Sequence, residues 1–271
     1  MDNMKNASPN FKYISSAENG KYKGWQKLIT RKYRERERCF LVEGELLIMD
    51  AVLSGAELKE LIVRDGADLN SELLANDIGT VACYSLSDNL FDSLSQTEHG
   101  RDAIGVFAIP DGEVSDWGEG DIVVLDRLQD PGNVGTIIRT SDAAGVAGII
   151  TIKGTVDSYS PKVVRAAAGS IFRVPIAEAE NASELKAMLD KLNAKHVAID
   201  PRASKEYFDM PEYERLAIIV GNEGGGISKE MLNLSEMNLV IPMREGIESL
   251  NAAMAFGIVI YERVRRKCKK D

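Results

Sequence analysis

The sequence predicts an α/β protein whose larger part is a mostly parallel sheet covered by helices. Three observations predict it. From Asp121 onward, short apolar runs alternate with helical patterns, the order that builds parallel sheets from strand–helix–strand units. The runs are apolar throughout, as in strands buried on both faces. Finally, three polar, glycine-marked segments fall where a strand ends and a helix begins. They are Asp126-Arg127-Leu128-Gln129-Asp130-Pro131-Gly132-Asn133-Val134-Gly135 leading to Arg139, Gly221-Asn222-Glu223-Gly224-Gly225-Gly226, and Ile241-Pro242-Met243 leading to Ser249-Leu250-Asn251. In an open α/β sheet that edge is where ligands bind.

The elements follow in chain order. Residues 1–110 read as a smaller mixed unit, with a helical period over 43–53 that stops at Gly55, strand-like runs over 58–63, 80–84 and 103–109, and a helix near 87–94. Residues 111–120, rich in glycine and acids, read as a linker. Residues 121–271 form the second domain. Its expected strands are 122–125, 148–152, 196–199, 216–220 and 239–241. Between them, a helix over 133–144 ends at Gly145, a usual residue just past a helix end. Ser160-Pro161 opens another, with serine as cap and proline in the first turn. Shorter helices are expected over 183–192 and 228–232, and the last over 249–267.

Composition limits the function classes. With 271 residues, 44% hydrophobic and 28% charged, the chain can bury a sizeable core. Its longest apolar stretch, near 249–261, is too short to span a bilayer and leads into charge. The polar start Met1-Asp2-Asn3-Met4-Lys5-Asn6 shows no secretory pattern. Three scattered cysteines, Cys39, Cys83 and Cys268, fit a reducing cytoplasm. The two histidines, His99 and His196, have no neighbouring cysteine or histidine, so no metal centre is expected.

A net charge of −9 argues against a general nucleic-acid binder, but distribution matters more than the sum. Lys21, Lys23, Lys27, Arg31, Lys32, Arg34, Arg36 and Arg38 crowd one stretch, with Tyr22, Trp25 and Tyr33 between them. This stretch is either a solvated helix face or a polyanion-contacting patch with aromatic rings able to stack on bases. A second basic run, 263–270, also suits a helix C-terminus.

Each strand-end segment has a plain reading and a functional one. The glycine loop is neither a P-loop nor a dinucleotide fingerprint; it is a flexible turn, or a close backbone approach to a ligand with Glu223 as acceptor. Arg139 either pairs with Asp142 one helical turn on or offers its guanidinium to phosphate. Ser249 either caps the last helix or serves the site together with Asn251, which capping by serine leaves unexplained.

Together and in order, these segments resemble the SpoU/TrmH branch of the SPOUT RNA methyltransferases. The resemblance covers roughly residues 122–262. DPGNVGTIIRTSDAAG at 130–145, IVGNEGGGIS at 219–228 and IPMREGIESLNAAMAFG at 241–257 look like the family's three motifs. The segment 31–55, with FLVEGELLIMDAVLSG, looks like its small RNA substrate-binding domain, related to ribosomal-protein folds. In the third motif Ala252-Ala253-Met254 depart from a more usual Val-Ser-Val run, and 99–105 matches the domain junction only loosely.

The resemblance implies a C-terminal trefoil knot, a rare exception to unknotted topology, and a homodimer with an active site shared between subunits. It implies methyl transfer from S-adenosylmethionine to a ribose 2′-hydroxyl in structured RNA, 23S rRNA being favoured over tRNA. A non-catalytic RNA-binding or ribosome-assembly factor on the same scaffold is the alternative from another class. Gly221, Ile241 and Leu250 would contact the cofactor. Asn133, Arg139, Glu223, Ser249 and Asn251 would form the catalytic set, with Arg139 acting on cofactor held by the partner chain. No membrane and no metal are expected.

Overall fold

A computed structural model describes residues 10–70, 81–97, 102–111 and 113–268. The polar N-terminus, Thr80, the stretch His99 to Arg101, Gly112 and the last lysines of the basic tail lie outside them. The chain divides into two compact units, 1–110 with 159–165, and 111–158 with 166–271.

The first unit is a mixed five-stranded sheet. Its strands are β1 (Phe11–Ile14), β2 (Cys39–Glu43), β3 (Leu58–Arg64), β4 (Ala82–Leu86) and β5 (Ala103–Ala108), in the order β1-β4-β3-β5-β2. β1 and β3 run parallel to β4, and β5 runs antiparallel to β3 and β2. The helix expected over 43–53 is Glu45–Leu53. Glu43 instead ends β2, and Gly44 turns the chain at φ 105, a conformation glycine reaches without steric cost.

The basic stretch is two helices, Gly20–Lys27 and Arg31–Glu37, separated at Leu28–Thr30. Tyr22 and Trp25 are fully buried among Tyr84, Leu86, Phe91 and Ile104. They are core residues and cannot stack on bases, which corrects that part of the aromatic reading. Tyr33 stays partly exposed, with Lys27 Nζ and the Arg36 guanidinium over its ring at 5.6 and 4.8 Å.

The second unit is a seven-stranded sheet in which every paired strand runs parallel. Its strands are β6 (Ile122–Asp126), β7 (Gly148–Ile152), β8 (Ile176–Ala179), β9 (Lys195–Ile199), β10 (Lys205–Glu206), β11 (Leu216–Gly221) and β12 (Met237–Val240), in the order β10-β12-β9-β11-β6-β7-β8. The chain moves outward from β6 through β7 to β8. It then resumes on the other side at β9, and β11 enters between β9 and β6. The strand order therefore switches between β6 and β11, where Asp126 and Gly221 are register partners. A crevice opens at such a switch point, outside the carboxyl ends of the strands.

Side-chain caps fix the helix starts that face this edge. Asp130 accepts from the Asn133 N–H at 2.7 Å and starts helix Pro131–Ala143, while Ser228 starts Lys229–Leu234. The last helix, Ala252–Lys267, begins three residues later than expected because Asn251, not Ser249, caps it. The segment read as a linker is packed: Val114 and Trp117 belong to the core of this unit, and a Cβ on Gly148 would sit 2.3 Å from the Trp117 ring.

Candidate active site

The glycine loop after β11 is closed by its own hydrogen bonds. Asn222 and Gly226 exchange backbone bonds of 3.1 and 2.9 Å, and Asn222 Oδ1 accepts from the N–H groups of Gly224 and Gly225. The flexible-turn reading is thereby replaced. A Cβ on Gly221 would meet the Gly226 carbonyl carbon and Ile227 nitrogen at 2.4 Å, so no larger residue fits while the loop keeps this form.

Two further bonds tie the loop to β6. Asn222 Nδ2 donates to the Arg127 carbonyl at 2.7 Å, and the Ser228 N–H donates to buried Asp126 Oδ2 at 2.6 Å. Arg127 adopts φ 58, a left-handed conformation that costs a non-glycine residue about 1 kcal/mol. Its backbone N–H donates to Thr155 Oγ1 at 3.1 Å, so the turn is held on both sides of the peptide.

A polar chain joins all three motifs. Asn251 Oδ1 caps the last helix by accepting from Ala253 and Met254 N–H groups at 3.0 and 3.2 Å. Its Nδ2 donates to Asn133 Oδ1 at 2.8 Å, and Asn133 Nδ2 donates to Glu223 Oε1 at 2.8 Å. Glu223 Oε2 also accepts from the Gln129 N–H at 3.3 Å. Burial raises the Glu223 carboxyl, but hydrogen bonds from Asn133 and the backbone of Glu223, Gln129 and Asp130 outweigh it and hold the group below its ordinary value.

Beside this chain lies a cavity of about 480 Å³, within the range of small-molecule sites, roughly 300–1,000 Å³. Gly221, Glu223, Ile241, Ser249, Leu250 and Asn251 line it. Asn133 is not a wall residue but is bonded to two that are. Arg139 stands apart: it is exposed, does not line this cavity, and has no hydrogen-bond or ion-pair partner among the described residues. Its expected partner Asp142 is held instead by Arg173 Nε at 2.9 Å.

Sequence reasoning missed Asp200 and Arg202, which also line the cavity. Asp200 is buried, and its Oδ1 accepts from the Arg202 N–H and Nε at 3.1 and 3.0 Å. The signal available was the polar Asp200-Pro201 pair directly after the apolar end of β9. Among the described residues, no three His, Cys, Asp or Glu side chains gather to hold a metal ion, and no helix is long and apolar enough to cross a membrane.

Fold and site together define a class: a parallel α/β domain that binds a small organic ligand at its switch point and sets a polar, carboxylate-bearing chain beside it. Comparison with known proteins narrows the class. Residues 121–261 match the SpoU rRNA Methylase family, and residues 19–105 match the MRM3-like substrate binding domain. The chain belongs to the SpoU rRNA methylase family.

Among its relatives is the 23S rRNA (guanosine(2553)-2'-O)-methyltransferase RlmP of Bacillus subtilis, 36% identical over 92% of this chain and 98% of that protein. The SpoU methyltransferase AviRb from Streptomyces viridochromogenes, solved with AdoMet, superposes with a TM-score of 0.85 at 28% identity, covering 93% of this chain and 99% of that one. An AdoMet-bound rRNA methyltransferase from Sinorhizobium meliloti gives 0.82 at 29% identity, covering 95% and 98%.

Proposed function

We propose that this chain transfers a methyl group from S-adenosylmethionine to a ribose 2′-hydroxyl of rRNA, with 23S rRNA as the substrate. The observation that carries the reading is the Asn251–Asn133–Glu223 chain at the rim of the cavity, in a member of a family whose relatives are named for this reaction. The cavity suits the cofactor. Backbone groups of the glycine loop, apolar Val220, Ile227 and Leu250, and carboxylates of Asp200 and Glu223 offer a nucleoside and a sulfonium cation both contact and charge. Gly221, Ile241 and Leu250 are its contacts in this reading.

When bound, the cofactor supplies an electrophilic methyl group. The protein must bring a weak nucleophile, the ribose hydroxyl, into line and stabilise the charge that develops on it. Arg139 binds the neighbouring phosphate and offsets that charge. A guanidinium keeps its proton at neutral pH and is a poor base there. Glu223, ionised and fixed by Asn133, orders the site, and Ser249 and Asn251 orient the ribose.

The active form is a homodimer, and Arg139 serves the partner's cavity. Support comes from the position of Arg139, exposed and away from its own cavity, and from Met254 and Tyr261, exposed two turns apart on the last helix. We also infer a trefoil knot formed by the segments 221–228 and 241–251. The insertion of β11 between β9 and β6 supports it. The division into an RNA-binding domain over 1–110, a junction at 111–120 and a methyltransferase domain over 121–271 is part of the same reading. Free cysteines at Cys39, Cys83 and Cys268 support action in the cytoplasm.

The test is transfer of labelled methyl from S-adenosylmethionine to rRNA and tRNA extracted from a strain lacking the gene, followed by reverse-transcription stops at low nucleotide concentration. Label in one ribose of 23S rRNA is the expected result. Label only in tRNA, or none, overturns it, and RNA binding without transfer leaves the assembly-factor alternative.

A further inference from the structure

We propose that Arg127 is an RNA-binding residue whose guanidinium takes a phosphate of the substrate strand beside the methylated ribose. The proposal rests on the RNA methyl-transfer reading and adds to it a residue outside the three-motif set.

Four observations carry it. First, the backbone at Arg127 is left-handed, φ 58, a conformation glycine adopts without penalty. Hydrogen bonds fix it: its N–H to Thr155, and its carbonyl accepting from Asn222 Nδ2 and Gln129 Nε2. The site needs this turn, but the turn does not need an arginine. Strain kept at a site is a pointer to use of the side chain.

Second, the side chain is aimed. Arg127 Nε donates to Asp126 Oδ1 at 3.0 Å, and a Cβ on Gly154 would touch the Arg127 stem at 3.4 Å. Asp126 is fully buried and Arg127 about half exposed (1% and 49% of side-chain surface). A fixed carboxylate thus orients the guanidinium through one edge. Its two Nη groups have no partner among the described residues.

Third, the location is right. Arg127 follows the residue paired with Gly221, and its carbonyl is bonded to the loop that carries Glu223. The Gln129 backbone N–H, in the same turn, donates to Glu223 Oε2. Fourth, this edge carries Asp126, Asp130, Asp200 and Glu223, an acidic setting for a polyanion. Arg202 gives both Nε and Nη2 to Asp200, whereas Arg127 gives Asp126 only Nε. A guanidinium that is already oriented loses little freedom on meeting a phosphate and can do so with two parallel bonds.

The experiment compares wild type with Arg127→Gly, Arg127→Asn and Arg127→Lys, using unmodified 23S rRNA transcribed in vitro. Glycine and asparagine both accept φ > 0, so if one variant folds poorly the other still reads out. The expected result is unchanged S-adenosylmethionine affinity, kcat within a few-fold, and KM for RNA raised roughly tenfold in the glycine and asparagine variants. The slope of log binding constant against log salt, from filter binding, should flatten by about 0.7 to 0.9, the value for one phosphate contact. Arg127→Lys should keep most of that slope. A glycine variant with wild-type KM and wild-type slope overturns the proposal. If wild type methylates no RNA, the functional reading falls, while the salt slope still decides whether Arg127 meets a phosphate.

Discussion

Asn251 donates its amide to Oδ1 of Asn133 at 2.8 Å, across 118 positions of sequence. The same Asn251 side chain, through its oxygen, caps the last helix. An amide is suited to both tasks because it accepts at one atom and donates at the other. The start of the last helix and the polar chain that reaches Glu223 are therefore one device, and the two tasks can be separated by substitution.

Asn251→Asp keeps a capping oxygen and suits a helix N-terminus, but it cannot donate to Asn133 and adds a charge in line with Glu223. Its unfolding free energy should stay within about 0.5 kcal/mol of wild type, while single-turnover methyl transfer falls on the order of 100-fold. Asn251→Ala should lose both, with about 1 kcal/mol from the cap. Wild-type turnover in the aspartate variant would show that the link to Asn133 is only structural.

Arg139→Ala should abolish methyl transfer and leave the fold and S-adenosylmethionine binding intact. Arg139 is exposed and unpaired among the described residues, so its loss should cost no more than about 0.5 kcal/mol. Mixing Arg139→Ala with a cofactor-binding variant, Gly221→Ala, separates the shared-site reading from the single-chain one. Exchange of subunits should restore activity, because one of the two sites then has both a sound cavity and an arginine. No recovery in a proven mixed dimer would place Arg139 on its own cavity.

Much of this site was legible because its chemistry lies in contiguous motifs at strand ends. The parallel sheet followed from fully apolar runs such as residues 122–125, and Gly145 marked its helix end at φ 68. Edge strand β8 was missed because Ile176–Ala179 is only partly buried and lacks such a run. Tyr22 and Trp25 misled because neighbouring lysines suggested a surface, whereas burial of their faces depends on the sheet behind them. Asp200 was marked in the sequence only by a carboxylate directly after the apolar run of β9, and its place on the cavity is set by β9 lying beside β11.

Glu223 gives a pH prediction. Its carboxyl is held below the ordinary value, despite burial, by bonds from Asn133 and the backbone. A depressed group contributes stability that is present above its unfolded pKa, about 4.3, and lost as pH falls through the lower folded value. Glu223 therefore stays ionised from alkaline pH down through pH 5, and any acid limb of kcat between pH 5 and 8 belongs to another group. Glu223→Gln should lower kcat roughly tenfold or more and leave the position of that limb unmoved. A limb that disappears in Glu223→Gln would assign the titration to Glu223 and contradict the geometry.

Gly221→Ala tests the glycine loop. The added methyl would lie 2.4 Å from the backbone at Gly226 and Ile227, and backbone that is hydrogen-bonded on both sides has little room to yield. The loop must open to accept it, and opening moves the atoms that line the cavity. Cofactor affinity by calorimetry should fall more than about tenfold, a change of 1.4 kcal/mol, with the rest of the fold retained by circular dichroism. Unchanged affinity would mean that the loop's form is not what binds the cofactor.

The far edge of the same sheet makes the last prediction. Asp121 opens β6 from its buried end and accepts from Arg263 Nε and Nη2 at 3.1 and 2.9 Å and from the Leu216 N–H at 2.9 Å, with Lys267 Nζ at 3.3 Å. Both partners of the pair are almost wholly buried. Burial raises the Asp121 carboxyl, but Arg263, the Leu216 N–H and Lys267 together bring it below its ordinary value. Asp121→Asn keeps the shape and leaves Arg263 buried without a counter-charge, which should cost about 3–5 kcal/mol at pH 7 in urea unfolding. Because the folded pKa is depressed, the wild-type advantage is full above about pH 4 and shrinks as pH falls through the folded value. The two proteins should therefore converge in stability toward pH 2. A gap that stays constant with pH would locate the effect in packing rather than in the charge pair. A gap under about 1 kcal/mol at pH 7 would mean that solvent reaches Arg263 and that the last helix is held to the sheet by its apolar face alone.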